Sequence, residues 1–252
     1  MKYVLIFALV LSGSLASAIA PASDANDLLK GIQSKINQVF IQAVTSKSAA
    51  PFEPLAQELD QLRQQKANSI VSYWQAYLYY YKAIFHSTQS DEKATEAAVD
   101  YCLELLEDIA KPNSEELALM SLAKGFSLPF KPPVRAPFIS RRAVKYAEAA
   151  IAADSMNLRA YFVLGSNDFY TPKRYGGGKK AEKLLLKAVS LPAQRVPNDL
   201  LPSWGKEQAY ELLIRFYLRE ERKAEAKQYF KEATTLFPQN YQISQLGAQL
   251  VD

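Results

Sequence analysis

The sequence predicts an all-α protein made of stacked helix hairpins. Apolar residues recur at spacings of three and four over most of the chain, as they do on one face of an amphipathic helix. Prolines and glycines fall mostly between these stretches, where they interrupt helices. The stretches follow one another in short-looped pairs, which is typical of a repeat architecture.

The chain begins with residues typical of an export signal. Lys2 is followed by an apolar run over 4–11 and by small residues at 16–18. The run is too short to span a bilayer, and no cysteine nearby indicates a lipid anchor. We expect cleavage after Ala18, because cleavage after Ala20 would put a proline beside the scissile bond. An uncleaved anchor or a buried helix remains the alternative. The sequence therefore predicts a periplasmic or secreted protein.

Composition excludes several classes of protein. Hydrophobic residues make up 49% of the chain, enough for a sizeable core and too many for a disordered protein. The net charge of +4 is too small for a nucleic-acid binder that relies on phosphate contacts. Since Cys102 is the only cysteine, no intrachain disulfide can form, and we expect a buried, inert thiol.

The sequence shows no catalytic group of residues. His86 is the only histidine, and no nearby motif ties it to a nucleophile or an acid. One histidine and one cysteine also exclude metal sites built from several such ligands, which leaves carboxylate sites open. We therefore predict a protein that is not an enzyme and holds no cofactor and no metal.

Taken in order, the periodic stretches predict eleven helices. They cover residues 25–46, 53–65, 67–88, 91–110, 114–127, 139–153, 157–170, 179–190, 204–220, 222–236 and 240–250. Pro112 ends one helix, and Asn113 with Glu116 can cap the next. Pro238 and Asn240 separate the last two helices in the same way.

One helix pair, over residues 207–240, is the clearest repeat unit. Its first helix has aromatic and aliphatic residues on one side. Its second helix has small residues and one aromatic residue that are expected to pack against them. These are Tyr210, Leu213, Ile214 and Tyr217, then Ala226, Phe230 and Ala233, before Pro238. Small residues let two helix backbones approach closely, and neighbouring pairs must cover the remaining apolar stripe.

These residues resemble the tetratricopeptide repeat family, apart from Ile214, where a small residue is usual. A second match has Tyr161, Leu164 and Gly165, then Ala181, Leu185 and Ala188, with Asp168 in place of a tyrosine. The segment 169–178 is also similar to a subset of exported bacterial tetratricopeptide proteins of unassigned role. The resemblance implies a right-handed superhelical stack of about four helix pairs, an α-α solenoid.

This resemblance sets the predicted domain organisation. We expect a signal peptide over 1–18, a helical N-terminal segment over 19–66, a repeat domain over 67–240 and a capping helix over 241–252.

The resemblance also implies a concave groove lined by the first helix of each pair. Its predicted residues are Tyr79, Lys82, Arg159, Phe162, Ser166, Phe169, Tyr170, Arg215 and Arg219. Aromatic rings with guanidinium groups suit an extended peptide or an acidic tail, because Arg forks carboxylates and stacks on rings. The alternative is that the aromatic residues on the helix around Tyr79 belong to the hydrophobic core and do not line a groove.

A glycine-rich loop is a candidate anion site. It contains Lys173, Arg174, Gly176, Gly177, Gly178, Lys179 and Lys180 ahead of a helix start. Backbone N–H groups and cations at a helix N-terminus can together hold an anion. The alternative is an enlarged turn with solvated lysines. A proline-rich insertion over 129–138 is likewise either a ligand for another protein or a stiff connector.

The function predicted first is a non-catalytic scaffold that binds a protein or peptide in its groove. The alternative is a periplasmic small-molecule carrier or an accessory protein of a solute uptake system. In that case Phe162, Phe169, Tyr170 and Arg215 would line an enclosed pocket.

Overall fold

The computed structural model describes residues 25–65 and 68–250. The predicted signal peptide and its cleavage site lie outside the described residues. Within these ranges the chain forms twelve α-helices and no strand. The all-α solenoid predicted from the sequence is confirmed.

The helices follow the predicted order. They are α1 (Ala25–Leu29), α2 (Ile32–Ser46), α3 (Phe52–Gln65), α4 (Ser69–Thr88), α5 (Glu92–Glu107), α6 (Ser114–Ser127), α7 (Ala136–Ala153), α8 (Leu158–Tyr170), α9 (Ala181–Ser190), α10 (Lys206–Arg219), α11 (Lys223–Leu236) and α12 (Tyr241–Leu246). Short 3₁₀ turns join α6 to α7 and α8 to α9, and another follows α12.

The single helix expected over residues 25–46 is wrong, because the chain breaks between α1 and α2. Gly31 has a φ of 65°, a left-handed conformation that glycine adopts without steric cost. Its N–H leaves the helical pattern and donates to the carbonyl of Asp199, 3.2 Å away. A tertiary contact therefore replaces the helical hydrogen bond at this position.

The predicted cap at the start of α6 is confirmed. The side chain of Asn113 accepts hydrogen bonds from the N–H groups of Glu115 and Glu116, and the Glu116 carboxylate accepts from the Asn113 N–H at 2.7 Å. Asn240 caps α12 through the N–H of Ile243. These side chains satisfy N–H groups that lack a partner inside the helix.

Four hairpins pair α4 with α5, α6 with α7, α8 with α9, and α10 with α11. Small residues allow the two helices of a hairpin to approach, and a larger side chain would separate them. The fully buried alanines of the second helices include Ala143, Ala147, Ala150, Ala181, Ala188, Ala226 and Ala233. The hairpins share one continuous hydrophobic core, which includes Trp74 and Tyr210.

Two further expectations concern the environment of Cys102 and the ability of the helices to cross a membrane. Cys102 is fully buried, and burial raises the pKa of its thiol, so the inert thiol expected from the sequence agrees with its position. Along 25–65 and 68–250, each helix is too short or too polar to cross a membrane.

Candidate functional site

The first helices of the hairpins form the inner layer of the solenoid. α4 contacts α6, α6 contacts α8, and α8 contacts α10, in succession. The second helices α5, α7 and α9 each pack against their own partner and the following first helix. A helix layer with continuous lateral contacts lies on the inside of the curve, as the repeat pattern predicts.

A long connection between α9 and α10, residues 191–205, covers one half of this inner layer, and we call it the strap. Trp204 of the strap is 5% exposed, and its indole N–H donates to the hydroxyl of Tyr73 at 2.7 Å. Its ring also lies against Tyr77 and Phe162, with centroids 5.9 and 6.4 Å away. Phe162, predicted to line the groove, is therefore covered by the protein itself.

Arg159 differs from the expectation of an exposed groove residue. Its side chain is 5% exposed, and Nε and Nη2 each donate to the Glu115 carboxylate at 2.5 Å. Nη1 donates to the carbonyl oxygens of Ala193 and Trp204, both 3.0 Å away. The guanidinium thus holds the strap against α6 and α8, and it is not available to an external ligand.

The N-terminal helices hold the strap from its other side. The Trp74 indole N–H donates to the carbonyl of Leu200 at 2.9 Å. The side-chain oxygen of Gln33 accepts from the N–H groups of Ser203 and Trp204. The strap therefore joins α2 and α4 to α8, and it closes the half of the groove where the first helices begin.

The other half, at the ends of the first helices, stays open. Tyr170 is 69% exposed at the end of α8, close to Arg215 and Glu211 of α10. Arg219 lies with its guanidinium carbon 3.9 Å from the ring centroid of Phe169 and donates to the Phe169 carbonyl. The sequence-predicted residues Phe169, Tyr170, Arg215 and Arg219 are thus brought together.

Two further residues belong to this region and were missed by the sequence analysis. Tyr80 of α4 packs edge to face on Phe126 of α6, with ring centroids 5.5 Å apart. Burial raises the pKa of Tyr80, and its phenol is close enough to that of Tyr170 for the two to interact electrostatically. We call Tyr80, Phe126, Tyr170, Arg215 and Arg219 the open patch. Ser166 lies half-buried one turn before Tyr170.

Tyr79 and Lys82 lie elsewhere on α4. The ring of Tyr79 packs against Tyr101 of α5 at 4.5 Å, and Lys82 pairs with Glu53 of α3 at 2.7 Å. They therefore face the preceding and paired helices, not the open patch. The sequence over 73–85 is rich in aromatic residues, but only the rotation of α4 in the fold brings Tyr80, and not Tyr79, to the open patch.

The glycine-rich loop binds a carboxylate of the protein itself, that of Asp168. Oδ2 of Asp168 accepts hydrogen bonds from the N–H groups of Lys180 and Ala181, both at 2.8 Å. Two of the N–H groups at the start of α9 are therefore already bound by the protein. Lys173 pairs with Glu220, and Arg174 lies over the ring of Tyr175.

The glycines of this loop fit the same arrangement. Gly176 and Gly178 have φ values of 88° and 79°, which favour glycine. A Cβ on Gly177 would lie 1.9 Å from the carbonyl oxygen of Thr171. The loop is thus a tight turn built around Asp168, which stands where the repeat family has a tyrosine.

Replacing Asp168 with alanine is expected to lower the free energy of unfolding by about 1–2 kcal/mol, because two helix N–H groups lose their acceptor. Asp168→Asn keeps one acceptor oxygen and is expected to lose less. Urea unfolding followed by circular dichroism measures both. Equal losses in the two variants would show that the cap does not act through the hydrogen bonds.

The proline-rich insertion is anchored to α5. Lys131 pairs with Glu96 and Asp100, at 2.8 and 2.6 Å. Phe130 packs on Phe126 with centroids 5.5 Å apart. These contacts agree with the connector interpretation of this segment.

His86, the only histidine of the sequence, has no catalytic partner among its contacts within the described residues. His86, near the end of α4, packs against Phe85, and burial lowers its pKa. Among the residues that the structure describes, no group of three His, Cys, Asp or Glu side chains is placed to hold a metal ion.

Comparisons with known proteins agree with the repeat architecture. The HusA haemophore from Porphyromonas gingivalis is 25% identical, with a TM-score of 0.58, over 77% of this chain and 92% of that one. TTC0263, a tetratricopeptide protein of Thermus thermophilus, is 13% identical, with a TM-score of 0.57, over 87% and 98% of the two chains. The fold is tetratricopeptide-like.

The remaining comparisons gave a weaker structural match and no sequence match. YrrB, described as a tetratricopeptide protein with an unusual peptide-binding site, is 12% identical with a TM-score of 0.40, over 83% and 97% of the chains. No model of a protein family matches the chain, and no curated protein sequence matches it. The comparisons thus support the all-α, tetratricopeptide-like fold.

Proposed function

We propose that this chain is an exported, non-catalytic binding protein that carries a flat, acidic aromatic molecule of the haem class on its open patch. The observation that carries the proposal is the exposed ring of Tyr170 at the end of α8, near enough to the Arg215 guanidinium for the two to interact electrostatically. The likeness to the HusA haemophore, at 25% identity, supports this ligand class. Export is proposed on the export signal predicted from the sequence.

The chemistry of the open patch suits such a ligand. The exposed ring of Tyr170 can stack on a planar ring system, and the half-buried rings of Tyr80 and Phe126 add apolar surface to the patch. Arg215 has a side chain that is 43% exposed, and it keeps free N–H groups beyond its pair with Glu211. A guanidinium can bind a carboxylate through two hydrogen bonds, so ring and acid groups would be held together.

The carrier proposed here differs from the one expected from sequence, because the pocket is not enclosed. Phe162 is covered by Trp204, while Tyr170 faces solvent. A cleft of about 180 Å³ beside the strap, lined by Asn37, Tyr81 and Glu207 among others, is smaller than an ordinary drug-sized site. The ligand would therefore lie on the surface of the open half, from which it can pass to another protein.

A protein or peptide partner is the second candidate. The open form of the patch favours it, because an extended chain can lie across the ends of α8 and α10 without entering a pocket. Arg215 and Arg219 would then bind acidic side chains of the partner.

We expect alanine at Tyr170 or at Arg215 to weaken binding of haem and of metal-free protoporphyrin by roughly 10-fold each, since each removes about 1.4 kcal/mol of contact. Absorbance and fluorescence titrations measure this. Tyr241→Ala and Arg63→Ala are matched controls: Tyr241 is 73% exposed, and Arg63 also has an intrahelical ion pair. Both controls should bind as the unchanged protein does.

If neither porphyrin binds, the ligand class is wrong. Affinity capture from envelope extracts then tests the second candidate. A protein that is captured by the unchanged chain and lost with both patch variants would support it.

A further inference from the structure

The outward face of α7 carries an exposed apolar and basic surface that no other part of the described chain covers. Phe138 is 68% exposed in the first turn of α7, and Val134, in the 3₁₀ turn before it, is 78% exposed. Arg135, Arg141 and Lys145 are exposed beside them. We call these five residues the α7 patch.

The spacing of these residues places them together. Phe138, Arg141 and Lys145 stand three and four positions apart, so they share one face of the helix. The guanidinium carbon of Arg141 lies 4.9 Å from the ring centroid of Phe138. The patch therefore has an aromatic centre with cations around it.

The cations of the α7 patch are not neutralised by the protein. Within 25–65 and 68–250, Arg135, Arg141 and Lys145 form no ion pair with a carboxylate. Neighbouring cations behave differently: Lys131 pairs with Glu96 and Asp100, and Arg142 lies 3.7 Å from Glu107. The positive charge of the patch is thus left for a partner outside the chain.

The convex shape of the α7 patch limits the kind of partner that can bind it. A helix on the outer layer of a solenoid is convex, so it offers no groove for a peptide and no cavity for a small anion. Exposed aromatic and aliphatic residues ringed by Lys and Arg suit the interface of a bilayer with anionic lipids. There the rings enter the headgroup region, and the cations meet phosphate groups.

We propose that the α7 patch docks this protein on an anionic lipid surface, with Phe138 and Val134 in the headgroup layer. The open patch and the α7 patch have no residue in common. The lipid docking does not depend on the proposed haem-class ligand, and the two are tested separately.

The test is co-sedimentation with vesicles of phosphatidylglycerol and phosphatidylcholine, and with vesicles of phosphatidylcholine alone. The protein is used as recovered from cells, with its N-terminus as processed there. Changing both Arg141 and Lys145 to Glu is expected to weaken binding to the anionic vesicles by at least about 30-fold. Phe138→Ala should weaken it by roughly 10-fold, through loss of ring burial. Added salt should release the unchanged protein.

The matched control changes Lys30 and Lys111 to Glu, two exposed cations that do not belong to the α7 patch, with the same change in net charge. This control should keep most of the binding. The proposal is overturned if the control loses as much as the α7 variant, if neutral vesicles bind equally well, or if anionic vesicles do not bind. It is also overturned if the α7 variant loses an acidic protein partner while its vesicle binding is unchanged.

Discussion

Replacing Arg159 with alanine is expected to lower the free energy of unfolding by about 2–4 kcal/mol, because two strap carbonyls lose their donor and the Glu115 carboxylate loses its counter-ion. The guanidinium is almost fully buried and donates to the Glu115 carboxylate and to both strap carbonyls. The Glu115 side chain is 27% exposed, so water can replace part of what it loses, while the carbonyl of Trp204 is buried. Urea unfolding followed by far-ultraviolet circular dichroism measures the loss.

Arg195→Ala is the matched control, because Arg195 is also an arginine of the strap with a carboxylate partner. Its pair with Asp154 has a nitrogen–oxygen distance of 2.5 Å, but its side chain is 64% exposed. An exposed pair contributes less than about 1 kcal/mol. Similar losses in the two variants would contradict the structural role assigned to Arg159.

Replacing Trp204 with alanine is expected to cost about 3–5 kcal/mol of unfolding free energy, as large-to-small changes of buried aromatic residues do. The change removes the ring from between Tyr77 and Phe162 and leaves the Tyr73 hydroxyl without its donor. Urea unfolding gives the total loss. Limited proteolysis shows whether the strap also detaches, through faster cleavage within 194–201.

Trp204→Phe separates the two contributions. It keeps most of the ring packing and loses only the hydrogen bond to Tyr73, so about 1–2 kcal/mol should be lost. Tyr241→Ala, which truncates a ring that is 73% exposed, should change stability by less than about 0.5 kcal/mol. If Trp204→Ala matches this control and the strap stays protected, the strap is not held by its tryptophan.

Much of the fold is predictable because helix formation depends on nearby residues. The periodic apolar positions and the cap at Asn113 are local features, and the helices formed where those features placed them. The break at Gly31 was missed because its N–H is bound by the carbonyl of Asp199, which is distant in the sequence.

The candidate site is predictable only in part. Counting from the repeat pattern gave Phe169, Arg215 and Arg219, because their positions follow from the helix register, and the carrier alternative added Tyr170. The same counting gave Tyr79 in place of Tyr80, since one residue turns a helix by about 100°, and this moves a side chain to another face.

The sequence by itself determined the helix pairs and the tetratricopeptide-like stack. Only the tertiary structure decided which half of the groove is open and that Arg159 serves the protein itself. The physical reason is that the strap is held by contacts between distant residues, such as the hydrogen bond from Trp74 to Leu200, 126 positions apart. Local periodicity carries no information about such a contact, because the free energy of a long connection depends on what it packs against.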